Sequence, residues 1–417
     1  MNTVATSNIS DATIQDVNAL VKIENRCFDY DRMSSRSIKH LIQKGNCDFI
    51  VARQAKTIIG YVLVLYHRGT HLARLYSFAV VPEVRDQGIG DQLLQEAELR
   101  ATARDCVYMR LEVNPNNSGA IHLYEKNGYK KIGVLKNYYE DKADALRYEK
   151  RILHREHQFD FMPIPYYEQT TEFNCGPACL IMAMQALDKN LQADRSLELQ
   201  LWREATTIYM TSGHGGCSPL GLALAAWRRD FRVELYVNSQ EPLFLDGVRN
   251  EEKKSVMQLV HEGFMLQIKD TDITVKYHNI SLQELEKKFK AGGIPLVLVS
   301  SYSYTRDKAP HWVVMSGIDD TFVYIHDPDE DAATYRSKTD NIYLPIGRQT
   351  FDKSFRFGRT GLRTSVIIIN GLSLLTKNLR LNLSSQHIKS RPKLVTQPLY
   401  LHIWLILITQ NIFHKLV

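Results

Sequence analysis

The sequence predicts two successive mixed domains, of α/β and α+β class, followed by a tail. Three observations predict this. The chain has 417 residues, and domains typically hold roughly 100–200. Residues 1–153 alternate between strand-like and helix-like spacing of apolar side chains. A charged break carrying Pro163 and Pro165 then precedes a second alternating stretch. These features place a first domain at 1–153, a linker at 154–165, a second domain at 166–374 and a basic, then apolar, tail at 375–417. With 44% hydrophobic and 24% charged residues, wholesale disorder, collagen and a polytopic membrane protein are excluded.

In the first stretch, Ala12 to Phe28 reads as a helix. Phe49 to Arg53 and Ile58 to Tyr66 read as strands around a turn at Ala55-Lys56, and Ala73 to Val81 as a third. Leu93, Leu94, Ala97 and Ala101 share one face of a helix over Asp91 to Ala103. A strand over Val107 to Val113 and a helix over Ser118 to Asn127 follow. In the second stretch, Cys175 to Leu187 is an apolar helix, and Ser218-Pro219 opens another that runs to Arg229. Ser281-Leu-Gln-Glu284 has capping-box form and starts a helix to Lys290. Ile294 to Ser300, His311 to Ser316 and Phe322 to His326 read as strands.

The formal charge of +6 belongs to the tail. Beyond Asp352 there are ten Lys or Arg and no acid, so the first 352 residues hold 42 basic against 46 acidic side chains. The basic balance therefore gives no reason to expect a nucleic-acid partner. Six scattered cysteines do not form a disulfide framework, and the N-terminus lacks the pattern of a signal peptide. A reducing cytoplasm is the expected location. Leu399 to Phe413, interrupted by His402, Gln410 and Asn411, reaches about 22 Å as a helix, short of a roughly 30 Å bilayer core. No transmembrane segment is expected. The tail reads as an extension without function, ahead of the rival reading as a peripheral membrane anchor.

The segment Arg85-Asp-Gln87-Gly88-Ile89-Gly90 follows a strand and opens a helix. Glycine lets the backbone approach a ligand closely, and a helix start offers N–H groups to a phosphate. Downstream stand Glu112 at a strand end and Tyr124 on the next helix. Acyl transfer to an amine needs a base for the ammonium proton and an acid for the leaving thiolate. Taken singly, Glu112 reads as a solvated strand residue and Tyr124 as a core aromatic. Taken together with Leu111-Glu-Val113, Asn117, Gly128-Tyr129, Tyr138-Tyr139 and Ala145-Leu-Arg147, they resemble the GNAT acyltransferases over about residues 8–152. The closest branch in that resemblance is the bacterial ribosomal-protein-alanine N-acetyltransferases. The resemblance implies a mixed sheet that splays to admit acetyl-CoA. It implies pyrophosphate held by amides around Gln87 to Gly90, with Val80, Arg85 and Asn117 as further cofactor contacts. Glu112 is then the base, through water, and Tyr124 the acid. Asn114 departs from that branch, which commonly has Arg there.

Gln169-Thr-Thr-Glu-Phe-Asn174-Cys175-Gly-Pro-Ala-Cys179 places a thiol at the start of an apolar helix. The positive helix end favours a thiolate. Asn174 is the expected cap and Gln169 an expected oxyanion donor beside the Cys175 N–H. Cys179 reads as packing, and Cys217 as lining a cleft or packed. No metal is expected, because Cys175 and Cys179 lack a second ligand pair at the right spacing. A cysteine nucleophile needs an imidazole and an orienting group. One hairpin offers His311 and Asp327. A three-residue loop sets them opposite one another. A two-residue loop turns Asp327 to the other face. His326 is the rival imidazole. Together, Gln169, Cys175, His311 and Asp327 look like the C39-type, papain-like cysteine peptidases, leader-peptide proteases of bacteriocin export, over about residues 160–372. The whole chain resembles bacterial fusions of a GNAT domain with a C39-like domain, in which His214-Gly-Gly-Cys217 also fits.

The expectation is a bifunctional enzyme. One half acetylates a peptide or protein amine, the other cleaves a peptide or amide bond. The alternative is acetylation of a small-molecule or lysine amine, with the second half a non-catalytic peptide-binding module.

Overall fold

The apolar run Ile58 to Tyr66 is too continuous for a strand with one wet face. In the computed structural model it lies buried inside a seven-stranded sheet. The structure describes residues 8–67, 69–153, 160–209, 214–300, 310–329, 338–354 and 365–372. Its first half runs β1 (Asn8–Asp11), α1 (Val17–Cys27), α2 (Ser35–Lys44), β2 (Cys47–Gln54), β3 (Thr57–Tyr66), β4 (Leu72–Val80), α3 (Ile89–Ala103), β5 (Tyr108–Val113), α4 (Ser118–Lys126), β6 (Lys130–Leu135) and β7 (Ala145–Arg151). The sheet order is β1-β2-β3-β4-β5-β7-β6. Alternation along β2 serves two cores. Phe49 and Val51 pack with α1 and α2 through Leu20, Ile23, Ile38 and Leu41. Ile50 and Ala52 pack with α3 through Leu93, Leu94 and Ala97.

The second half runs β8 (Asp160–Phe161), α5 (Cys175–Leu187), α6 (Arg195–Ala205), α7 (Pro219–Trp227), β9 (Phe231–Val237), α8 (Glu251–Lys269), β10 (Thr274–Lys276), α9 (Leu282–Lys290), β11 (Ile294–Ser300), β12 (Pro310–Ile318), β13 (Phe322–His326), β14 (Leu344–Gly347), α10 (Arg348–Ser354) and β15 (Ser365–Leu372). Its sheet has the order β10-β9-β15-β11-β12-β13-β14, with β8 on β12. Of the expected linker, residues 154–159 lie outside the described residues, while Asp160 and Phe161 pair with Ile318 and Gly317. The tail reading likewise lies outside them. Among the described residues no helix is long and apolar enough to cross a membrane.

The two halves share apolar surface. Val107 clusters with Phe322 and Tyr324, and Leu72 joins the core of the second half. His71 donates its backbone N–H to the Pro345 carbonyl at 2.9 Å and sets its ring 4.8 Å from Phe322.

His326 belongs to this core rather than to a site. Its Nδ1 accepts from the Tyr343 N–H at 3.0 Å, so its Nε2 carries the hydrogen directed at the Ile164 carbonyl, 3.1 Å away. Burial pushes the imidazole down to about 4. Its folded value lies below its unfolded one, so stability is full above about pH 6.5 and is lost as pH falls toward 4. Urea unfolding is expected to show a fall of roughly 2–3 kcal/mol from this group between pH 7 and pH 4.5. The loss should be smaller by that amount in His326→Asn. Equal losses in both proteins would contradict the assignment.

Candidate active sites

The first site forms where the first sheet splits. Strands β4 and β5 are parallel and pair over only three positions, ending at Arg74 with Arg110. Beyond them β4 continues to Val80 and β5 to Val113, each still paired on its outer side. The fork opens toward the start of α3. Gly88, at φ +80, is the residue before that helix, and a side chain there would meet open space. Gly90 faces Leu123 so closely that a Cβ would lie 3.2 Å from it. The first turn of α3, at Ile89 and Gly90, presents backbone N–H groups that no intrahelical carbonyl can satisfy. An open backbone edge on β4 and a helix start beside it fit an extended pantetheine arm and its pyrophosphate. Arg85 donates through Nε to the Val80 carbonyl at 3.0 Å, and Gln87 donates through its amide to Glu83, so both side chains brace the loop. The Asn117 side-chain oxygen caps α4 by accepting from the Ala120 N–H at 3.1 Å, which leaves its amide nitrogen for any cofactor contact.

Glu112 is not the solvated strand residue that its position alone suggests. Only 4% of its side chain is exposed. Its Oε2 accepts from Arg74 Nε at 3.0 Å and Nη2 at 2.9 Å, and its Oε1 lies 4.0 Å from Arg147 Nε. Arg74 also donates to the Tyr138 hydroxyl at 2.6 Å and, at 3.3 Å, to Asp340 of the second half. Burial works against the charge on Arg74, but Glu112 and Asp340 outweigh it and keep the guanidinium ionised. Tyr124 is buried, and burial alone pushes its phenol up, so it remains a proton donor at neutral pH. Tyr139 stands within electrostatic reach of both Glu112 and Tyr124. The sequence reading missed Arg74. A single Arg inside the apolar strand Leu72–Val80 was a signal, because a buried charge must have a partner.

The second site joins α5 to β12. Residues Gly176 to Met184 of α5 are buried, and the helix packs across β12. Gly176 allows this, since a Cβ there would come within 3.2 Å of Trp312 and Cys217 and 3.0 Å of Leu222. The packing sets Cys175 close enough to His311 for each to act on the other's charge. His311 Nε2 meets Asp327 Oδ1 at 2.7 Å, so Nδ1 is the nitrogen left for the thiol. Burial disfavours the imidazolium, but Asp327 and then Cys175 outweigh it and hold His311 well above its ordinary value.

Neither expected hairpin register is found. Ile318 pairs with Val323, so four residues separate the paired positions, and Asp319 closes the turn by accepting from the Thr321 and Phe322 N–H groups. A bulge between Met315 and Gly317 then shifts the pairing by one, to Val314 with His326. Without the bulge Asp327 would face Val314, on the strand face opposite to His311. With it, Asp327 faces Val313, two residues from His311 and on the same face.

One further expectation needs correction. Asn174 does not cap α5 through its side chain. It is fully buried, and neither its Oδ1 nor its Nδ2 finds a hydrogen-bond partner among the described residues. Gln169 shares the amide expected to serve as oxyanion donor. Its Nε2 donates to Asp329 Oδ1 at 2.8 Å, which leaves one amide hydrogen for an oxyanion. Cys179 is packed as expected, with its thiol directed at the Trp312 carbonyl. Cys217 lines a cleft with Cys175. The cleft is walled by apolar side chains that include Leu243, Phe244, Met257, Phe264 and Trp312. Among the described residues no group of acidic, His and Cys side chains is arranged to hold a metal.

Residues 17–129 match the Acetyltransferase (GNAT) family, and residues 164–369 match the Peptidase C39 like family. The chain is 32% identical over 149 residues to an N-alpha-acetyltransferase of Sulfurisphaera tokodaii, covering 33% of this chain and 88% of that protein. It is 27% identical over 134 residues to a putative ribosomal protein-alanine N-acetyltransferase of Bacillus subtilis, covering 32% of this chain and 87% of that one. Among solved structures it is similar to a ribosomal-protein-alanine N-acetyltransferase from Brucella melitensis. That match is 23% identical with a TM-score of 0.32, over 34% of this chain and 99% of the other.

Proposed function

The chain belongs, through its first half, to the GNAT acetyltransferase family, and from that premise we propose a bifunctional enzyme. Its first half moves the acetyl group of acetyl-CoA to the α-amine of a peptide or protein. Its second half cleaves a peptide or amide bond through Cys175. The family uses acetyl-CoA, and the fork between β4 and β5, with the start of α3, is where it would be held. Glu112 takes the ammonium proton of the incoming amine through a water molecule. The amine attacks the thioester carbonyl, and Tyr124 protonates the departing thiolate. The likeness to an N-alpha-acetyltransferase supports an α-amine as acceptor.

In the second half, the observation that carries the reading is the His311 to Asp327 contact of 2.7 Å, with Cys175 beside the same ring. The thiolate attacks a carbonyl, His311 gives its proton to the leaving amine, and water hydrolyses the thioester. The apolar cleft beside Cys175 suits peptide side chains of like character. Mass spectrometry of a peptide mixture incubated with the protein and acetyl-CoA reports both activities. Products with new termini and products heavier by one acetyl group are expected. Neither product from a broad mixture would overturn the reading.

A second reading keeps acetyl transfer, to a small-molecule or lysine amine, and makes the second half a peptide-binding module without hydrolysis. What favours it is the Gln169 amide, one hydrogen of which is already given to Asp329. A panel of amines, followed by acetyl-CoA consumption, separates the acceptors.

A further inference from the structure

We propose that Asp340, a residue of the second half, is a positioning residue of the acetyl-transfer site and acts on Glu112 through Arg74. The inference rests on reading Glu112 as the base. Glu112, Arg74 and Asp340 form a line across the boundary between the halves. Arg74 gives Nε and Nη2 to Glu112 and Nη1 to Asp340. The three side chains are 4%, 4% and 1% exposed, so water screens them little. A guanidinium has five donors in a rigid fork, and two carboxylates on different edges fix its plane. With Asp340 in place, Arg74 divides its charge between two anions. Without it, more of that charge falls on Glu112, which becomes a weaker proton acceptor and loses its fixed direction.

Other charged and phenolic groups stand around the line. Arg74 and Arg147 face Glu112 as cations, with the phenols of Tyr138 and Tyr139 beside them. His67, at 3.5 Å, Arg74, Arg147 and Tyr138 face Asp340. Asp340 is thus an anion that shares Arg74 with Glu112. The next residue, Asn341, accepts the Asp327 N–H through its carbonyl at 2.9 Å. One short turn therefore touches the charge line of the first site through a side chain and the Cys-His-Asp set of the second through the backbone.

The test uses the full-length protein and a peptide amine, with acetyl-CoA consumption followed at one pH. In Asp340→Asn, kcat is expected to fall about tenfold. The KM for acetyl-CoA should stay within about twofold, since the loop at Gln87 to Gly90 is untouched. Asp340→Glu is expected to restore most of the wild-type kcat. Labelling of Cys175 should be unchanged, because the Asn341 carbonyl remains. Arg74 keeps Glu112 and Tyr138 in the variant, so no charge is left bare. Asp340→Ser, smaller and equally uncharged, serves if the amide variant does not fold. His71→Ala is the control: it removes a contact between the halves without touching the charges, and its kcat should match wild type. A kcat for Asp340→Asn equal to that of wild type overturns the proposal. So does an equal loss of kcat in Asp340→Asn and His71→Ala. If instead Glu112→Gln retains full activity, the reading of the base itself has failed, whatever Asp340 does.

Discussion

Cys175→Ala is expected to lower peptide hydrolysis by roughly 10³-fold or more while leaving acetyl transfer untouched. Removing the nucleophile of a set that acts as a unit forfeits nearly all that the set contributes. His311→Ala should lose a comparable factor, and the double variant should lose no more than either single one. Acetyl transfer is spared because Cys175 lies at the start of α5, in the other half of the chain. Thiol labelling gives an independent reading. Burial pushes the other thiols up: Cys27 above its usual value, Cys47 to about 11, Cys106 to about 12, and Cys179 and Cys217 well beyond. Those five form a slow background at neutral pH. Cys175 has His311 beside it, held protonated by Asp327. Fast labelling should therefore fall on Cys175 and slow down in Asp327→Asn. Hydrolysis that survives in the alanine variant, or labelling of Cys175 no faster than of Cys27, contradicts a thiolate nucleophile.

Much of this architecture was legible because it is local. Cys175–Leu187, Ile294–Ser300 and Phe322–His326 have the ends that their sequence signals give. Ser281 caps its helix by accepting from the Glu284 N–H, as the capping pattern requires. Helix Glu251–Lys269 went unread although Asn250 caps it and two glutamates fill its first turn. There the signal was present, and the mixed polarity of the run hid it.

What the sequence withheld depends on distant contacts. The register of the His311 hairpin turns on one extra residue near Ser316, where Phe161 of β8 covers Gly317. That partner lies more than 150 positions away in the chain, and no spacing rule reaches it. Asn174 sits where a cap belongs, yet its φ of −99° and ψ of 17° are not the extended geometry a capping side chain uses. The partners of Glu112 were hidden for the same reason. Arg74 comes from a neighbouring strand and Asp340 from the far half.

Glu112→Gln is expected to lower kcat for acetyl transfer by about 10²- to 10⁴-fold, the usual span for a general base. The amide is nearly the same shape and can still accept from Arg74, so the side chain should keep its place. Arg74 also retains Asp340 and Tyr138, so the substitution does not strand a buried cation. What disappears is the carboxylate that takes a proton. The KM for acetyl-CoA should change little, because the proposed cofactor site at the start of α3 uses backbone groups. A loss in kcat without a loss in cofactor affinity is the signature of an interaction made in the transition state. Tyr124→Phe should cost less, about 10- to 10²-fold, since water can protonate a thiolate leaving group in place of the phenol. Its phenol is held protonated by burial, so the wild-type rate should show no alkaline limb from this group below about pH 10. A glutamine variant as fast as wild type would place the base elsewhere, and the buried line from Arg74 to Asp340 would then be a structural bridge between the halves and nothing more.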